Sequence, residues 1–367
     1  MEEFTSLFNN RISCLQRLGS PVMGWSSVYT PEEIIYAAGI APFSVTGEGE
    51  PEAVKARSIL SSNLCPYVLS SLEEGLQGTY DFMDGVVVVN TCDARRRLYD
   101  AWRIFVKTPF IHLIDLPGTV TPESRSYFEN QLRIFRRSIE DHFKRTISEQ
   151  SLMDAISLWN ETRRLLNELQ QLRKHKNPPV SGTEFMTIMK AGMSGNRKEF
   201  LAGLRRFIEG IDKNRNVSSK RRLRVLITGS YLDQLSLVHL IEELGADVVC
   251  DDLSNGIKYF EGSVNIDKEP IEALAGYYLE KSGHSVMADS ETRFANILKL
   301  IEEYDVGAVI YFSLKFCDNS LIDFPYQKYK LNQNGIPVLS LEGERALVNL
   351  HQIKTRVQAF IEMSEGI

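Results

Sequence analysis

The sequence is short of the features that define several common protein classes. Only five of its 367 residues are cysteine, at positions 14, 65, 92, 250 and 317. The count is odd and the spacing wide, which argues against a disulfide framework and leaves metal binding or buried thiols. There is no CxxC pair of the zinc-site kind and no contiguous ferredoxin-type run. A GxxxxGK(S/T) phosphate loop is missing as well, so no nucleotide engine of that type is expected in this chain. The apolar runs, such as Gly85–Val89 and Ala308–Phe312, fall far short of the about 20 residues a membrane helix needs. Residues 1–16 mix charged and apolar side chains, so neither a signal peptide nor a membrane location is expected, and a cytoplasmic protein follows. The net charge of −6 gives no basic field, which argues against nucleic acid as a partner. None of the six histidines forms a motif; His112 lies in a predicted strand as core or interface, and the others fall on surface helices or loops.

What is present is the composition of an ordinary globular chain, 43% hydrophobic and 25% charged, long enough for two domains and a helical insert. Leu7–Leu18 predicts a first helix. Thr30-Pro31-Glu32-Glu33 predicts a helix start, with Thr30 as cap and Glu33 three residues on, and the helix stops at Gly39. Short apolar strands at Ala41–Val45, Gly85–Val89 and Phe110–Asp115 alternate with helices, the signature of a parallel α/β unit. From Pro122 to about Lys213 the pattern is helical, with Leu152, Ile156, Trp159, Leu165, Leu166, Leu169 and Leu172 forming a packing face. The run Arg173–Lys176 reads as a solvated helix end. After a polar linker at 214–220, strands at Leu223–Thr228, Ala246–Cys250, Gly307–Phe312 and Pro337–Leu341 predict a second α/β unit. The expected division is therefore 1–121, 122–220 and 221–367.

Three cysteines stand apart by position. Cys92 follows the strand Gly85–Val89, and Cys317 follows Gly307–Phe312; ligands collect at such carboxyl ends of strands. Cys65 precedes Pro66 at a helix start, and Cys92 precedes Asp93, read as a helix cap. A thiolate in either place feels the helix dipole and free N–H donors. Three such thiolates suit an anionic metal cluster and leave one iron of a 4Fe–4S cube open. Buried, inert thiols are the competing explanation. Cys14 and Cys250 read as structural.

Several segments carry a family resemblance. Tyr29-Thr30-Pro31-Glu32-Glu33-Ile34-Ile35-Tyr36-Ala37-Ala38-Gly39, Asn63-Leu64-Cys65-Pro66, and Asn90-Thr91-Cys92-Asp93 with the run Arg95–Arg97 resemble the 2-hydroxyacyl-CoA dehydratase and benzoyl-CoA reductase family. The likeness continues more weakly through Leu226–Ser230, Phe312–Asn319 and Val338–Glu342. The resemblance implies two flavodoxin-like α/β domains with a helical portion, and one 4Fe–4S cluster held between the domains by Cys65, Cys92 and Cys317. It implies a homologous second subunit, an acyl-CoA substrate, and a transient ATP-hydrolysing iron–sulfur activator that supplies a low-potential electron. In the dehydratases a ketyl radical expels the 2-hydroxyl; in the reductases electrons enter an aromatic ring. A branch with a double-cubane cluster wants more thiolates than five dispersed cysteines offer. An electron-relay role beside a catalytic sister subunit fits the same resemblance.

Acid–base chemistry at such a site needs further groups. The loop Thr46–Glu52 offers Glu48, Glu50 and Glu52, in the region from which family dehydratases take a carboxylate; a solvated acidic loop is the alternative. Ser26 and Ser27 are candidate hydrogen-bond donors or turn serines. Gly229-Ser230 has the look of a strand-end anion nest.

Overall fold

The computed structural model describes residues 1–48, 52–212, 222–281, 283, 285–345 and 350–365. The candidate Glu50, the linker 214–220 and His284 lie outside the described residues. The first half runs α1 (Glu2–Asn9), α2 (Arg11–Arg17), β1 (Val22–Trp25), α3 (Glu32–Ala37), β2 (Ala41–Ser44), α4 (Val54–Ile59), α5 (Pro66–Gln77), β3 (Gly85–Asn90), α6 (Asp93–Phe105) and β4 (Phe110–Asp115). Four helices follow: α7 (Pro122–Phe143), α8 (Glu149–Leu172), α9 (Gly182–Ser194) and α10 (Arg197–Glu209). The second half runs β5 (Leu223–Gly229), α11 (Leu235–Glu243), β6 (Ala246–Asp252), α12 (Ile257–Phe260), α13 (Pro270–Leu279), α14 (Ser290–Glu303), β7 (Ala308–Leu314), α15 (Asp318–Gln333), β8 (Val338–Gly343) and α16 (Leu350–Glu365).

All strand pairings are parallel, in two sheets ordered β2-β1-β3-β4 and β6-β5-β7-β8. The chain is therefore α/β, with two parallel sheets of the same flavodoxin-like order. Each sheet reverses direction of growth between its first and third strands, and those switch points position the site described below. Val86–Val89 are buried throughout, as a parallel strand covered on both faces requires. None of the described helices is long and apolar enough to cross a membrane.

Several expectations are corrected. Leu7–Leu18 is not one helix, because the backbone breaks at Asn10 (φ −98°, ψ 9°), whose amide turns back to the Ser6 carbonyl. β1 carries no apolar run to announce it, yet all four residues are buried. Its Gly24 is required by crowding: a Cβ there would lie 2.6 Å from the Met83 sulfur. Arg173 is buried and not a solvated helix end; its guanidinium donates to Gln170 Oε1 and the Val248 carbonyl and stacks on Phe185.

The largest correction concerns Thr30 and Glu33. Pro31, not Thr30, precedes the first helical residue of α3, and no side chain caps that helix. Glu32 and Glu33 instead point into the protein and are almost fully buried. Arg163 of α8 donates to Glu33 Oε1 at 2.5 Å, and the Tyr278 hydroxyl donates to Oε2 at 2.8 Å. Arg197 donates to Glu32 Oε2 at 3.2 Å, and the Tyr259 hydroxyl donates to Oε1 at 2.7 Å. Burial pushes the Glu32 carboxyl up, with Arg197 opposing the shift. Arg163 stacks over Tyr277 and Arg197 over Trp159. Two carboxylates of one short helix thus bind the first half to the helical segment and to the second half. The apolar core is continuous across the same junction, joining Trp25 and Ile34 to Leu166, Phe260 and Leu274.

Removing one partner of a buried pair strands the other charge without solvent, at roughly 3–5 kcal/mol. Arg163→Ala and Glu33→Ala are each expected to lower the unfolding free energy read from urea denaturation by that order. The double variant should be less destabilised than the sum of the two, and simple additivity would show that the charges are not coupled.

Candidate functional site

The three singled-out cysteines come together. Cys65 is the N-cap of α5, Cys92 of α6 and Cys317 of α15. The reading of Asp93 as the cap is thereby corrected: Asp93 is the first residue inside α6. All three cysteines, each partly exposed, line one cavity of about 260 Å³. Cys92 follows β3 and Cys317 follows β7, while Ser26 follows β1 and Ser230 follows β5. The cavity therefore lies where the switch points of the two sheets face each other, with both halves contributing to its wall. Trp25, Tyr29, Tyr67, Tyr231 and Phe316 give its lining an aromatic character.

The thiols sit in the field that their helices create. Cys65 accepts from the backbone N–H groups of Tyr67 and Val68. The Cys317 thiol donates to Cys65, and this bond is the main cause that lowers Cys65 to about 7, with Arg95 assisting. The same bond, together with burial, pushes Cys317 up, as the donor of the pair keeps its proton. Cys92 is close enough for its charge to act on Cys317. The other two cysteines are elsewhere: Cys14 is on α2, where Arg17 donates to its sulfur, and Cys250 is fully buried in β6, its thiol raised by desolvation.

Among the described residues no three histidine, cysteine, aspartate or glutamate side chains could hold a single metal ion. The thiols ring a cavity rather than a point, so the donor set suits a multi-atom inorganic group. Buried donors at the cavity wall fit an anionic guest as well. Trp25 Nε1, Ser26 Oγ and Arg95 Nη1 are buried and have no hydrogen-bond partner within the protein. Buried donors are ordinarily paired, so three in one cavity wall are an unusual concentration.

The remaining candidates separate. Ser26 lines the cavity with a free hydroxyl, whereas the Ser27 hydroxyl accepts from the Tyr29 N–H and is a turn serine. Glu48 does not line the main cavity. It pairs with Lys190 at 3.0 Å in a small adjoining pocket, separated from the thiols by Tyr231 and Met193, which line both. Glu52 is exposed. The anion-nest reading of Gly229-Ser230 is corrected, since the Ser230 N–H donates to the Phe312 carbonyl and its hydroxyl accepts from the Leu314 N–H. Gly229 (φ +120°) permits this fold-back, because a Cβ would meet the Phe312 oxygen at 2.1 Å. Sequence reasoning missed the aromatic wall: Trp25 ends the short strand β1, Tyr67 is on the first turn of α5, and Tyr29, Tyr231 and Phe316 are on loops without periodicity.

The thiol pair makes a pH prediction for the metal-free protein. Because the thiolate is the nucleophile, Cys65 alkylation should rise with pH and reach half its maximal rate near pH 7. In Cys317→Ala the donor is gone, so the midpoint should move upward; an unchanged midpoint would contradict the hydrogen-bonded pair. Residue-resolved mass spectrometry of alkylated peptides reads both.

Comparisons with known proteins match the chain over nearly its whole length. The family model described as 2-hydroxyglutaryl-CoA dehydratase, D-component, matches residues 27–364. The (R)-phenyllactyl-CoA dehydratase beta subunit of Clostridium sporogenes is 25% identical over 349 residues, covering 95% of this chain and 93% of that protein. The C subunit of benzoyl-CoA reductase from Thauera aromatica is 25% identical over 350 residues, covering 93% and 90%. The beta subunit of (R)-2-hydroxyglutaryl-CoA dehydratase from Acidaminococcus fermentans is 22% identical over 354 residues, covering 94% and 92%. A match of this extent, on a chain with this fold, makes the protein a member of the 2-hydroxyglutaryl-CoA dehydratase D-component family.

Proposed function

We propose that this chain is the iron–sulfur subunit of an enzyme that dehydrates or reduces a coenzyme A thioester, with Cys65, Cys92 and Cys317 holding one 4Fe–4S cluster. The observation that carries the reading is the convergence of three helix-capping thiols, drawn from both halves of the chain, on one cavity. When bound, such a cluster supplies a one-electron reservoir and, at an iron without a protein ligand, a Lewis acid for a thioester oxygen. The rest is the work of the chain. The positive ends of the three helix dipoles would offset the negative charge of a thiolate-bound cluster. The aromatic wall excludes water, which protects a low-potential electron. The Ser26 hydroxyl, unpartnered in the cavity wall, would donate to the thioester oxygen. Glu48 is held by Lys190, so acid–base duty for it requires release from that pair. The reading also implies a homologous second subunit and an ATP-dependent iron–sulfur activator as electron donor, all in the cytoplasm.

A second reading, electron relay to a catalytic sister subunit, is favoured by the size of the cavity. At about 260 Å³ it lies below the ~300–1,000 Å³ of ordinary ligand sites before any cluster is counted. Each of the relatives is named as one subunit of its enzyme, which fits that reading too.

Anaerobic purification with iron and sulfide analysis tests the shared core of both readings. The expected content is roughly four of each per chain. Single Ala variants of Cys65, Cys92 and Cys317 should lose or damage the cluster. Those of Cys14 and Cys250 should keep it, and iron loss in either would overturn the ligand assignment. Turnover of a 2-hydroxyacyl-CoA or of benzoyl-CoA with activator, ATP and reductant supports catalysis. A full cluster without turnover unless a second subunit is added supports relay.

A further inference from the structure

The run Arg95-Arg96-Arg97 follows Cys92 within the first turn of α6, and its members have separate fates. Arg96 is exposed. Arg97 pairs on the surface with Asp93 and Asp100. Arg95 alone turns inward. Its guanidinium lies over the Tyr67 ring, 4.8 Å from the centroid, and donates towards the Tyr67 hydroxyl. Tyr67 is itself fixed, because its hydroxyl donates to the Val45 carbonyl at 2.5 Å. Arg95 Nη1 is buried without a hydrogen-bond partner in the protein. Among the described residues lining the thiol cavity, Arg95 is the one with a cationic side chain. The lining carboxylates, Asp93 and Asp318, are exposed on its rim.

Stacking on a fixed ring holds the charge in place, and the half-buried setting of Arg95, with Nη1 itself buried, reduces its screening. The Nη1 N–H groups remain for a guest. A cation of this kind beside an electron carrier stabilises whichever state is more negative. A cluster that accepts one electron would become one unit more negative, so its reduced state would gain more from Arg95 than its oxidised state.

We infer that Arg95 is a positioning residue that raises the reduction potential of the cluster bound by Cys65, Cys92 and Cys317, through its charge and its free Nη1 donor. The inference rests on the proposed cluster and goes beyond it, by naming the side chain that sets how readily the site accepts an electron. It also gives the arginine run a division of labour, with one member facing the site and two facing solvent.

The test is a redox titration of the anaerobically purified protein with titanium(III) citrate, followed by electron paramagnetic resonance. Arg95→Gln should keep the iron content and lower the midpoint potential. Arg95→Lys should keep a midpoint near that of the wild type, because the charge remains. Arg96→Gln, which removes an exposed charge from the same turn, should leave the midpoint where it is. A wild-type midpoint in Arg95→Gln, or equal shifts in Arg95→Gln and Arg96→Gln, overturns the inference while leaving the cluster assignment intact. If Arg95→Gln loses its iron, Arg95→Lys decides: a cluster near the wild-type potential supports the charge role. Loss of iron in both variants, or a Lys variant whose potential falls despite its charge, assigns Arg95 to packing. A wild-type chain that takes up no iron overturns the proposed function itself.

Discussion

Two carboxylates on a helix of six residues hold this molecule in register. Glu32 and Glu33 reach in opposite directions from α3, one to Arg197 and Tyr259, the other to Arg163 and Tyr278. A carboxylate taken out of water without a partner is costly, so each arginine contributes strongly to the stability of this junction. The helices α8 and α10, the second half and the loop after β1 are thereby drawn to one point. Trp25, at the end of β1, stacks on Tyr259, so the cavity wall is an extension of the same network.

The site inherits its form from that clamp. Both sheets have the same strand order, and each offers the carboxyl ends of its first and third strands. Held face to face, they bring a serine and a cysteine from one half opposite a serine and a cysteine from the other. Cys65 joins them from the start of α5. The helices begin at the cavity, so their N-terminal N–H groups and dipoles bear on the sulfurs. A second latch lies nearby, where Arg345 reaches across to the Thr46 carbonyl and to Asp233. The cavity thus depends on contacts made well away from it.

Much of this was legible in the residues. The strand Gly85–Val89 declared itself through an unbroken apolar run, Phe110–Asp115 through a mainly apolar one interrupted by His112, and the packing face of α8 through its spacing. Cysteines at strand ends and beside Pro66 were identifiable for the same reason: local chemistry fixes a helix start. Longer-range effects were not legible. Glu33 mimics a capping box in sequence, and only a distant Arg163 makes it a core residue. Arg173 sits in a basic run that predicts solvent, yet Phe185 and the Val248 carbonyl bury it. β1 is too short to show a period. Glu48 and Ser26 were both candidates in the chain, and only the fold separates them, with Lys190 paired to Glu48 and the Ser26 hydroxyl unpartnered in the cavity wall.

Anaerobic crystals, with diffraction recorded on either side of the iron absorption edge, test the central claim most directly. The account predicts one compact group of iron peaks within bonding distance of the sulfurs of Cys65, Cys92 and Cys317. Iron beside Cys14 or Cys250, a lone ion in the cavity, or no iron density there at full occupancy of the fold would contradict it.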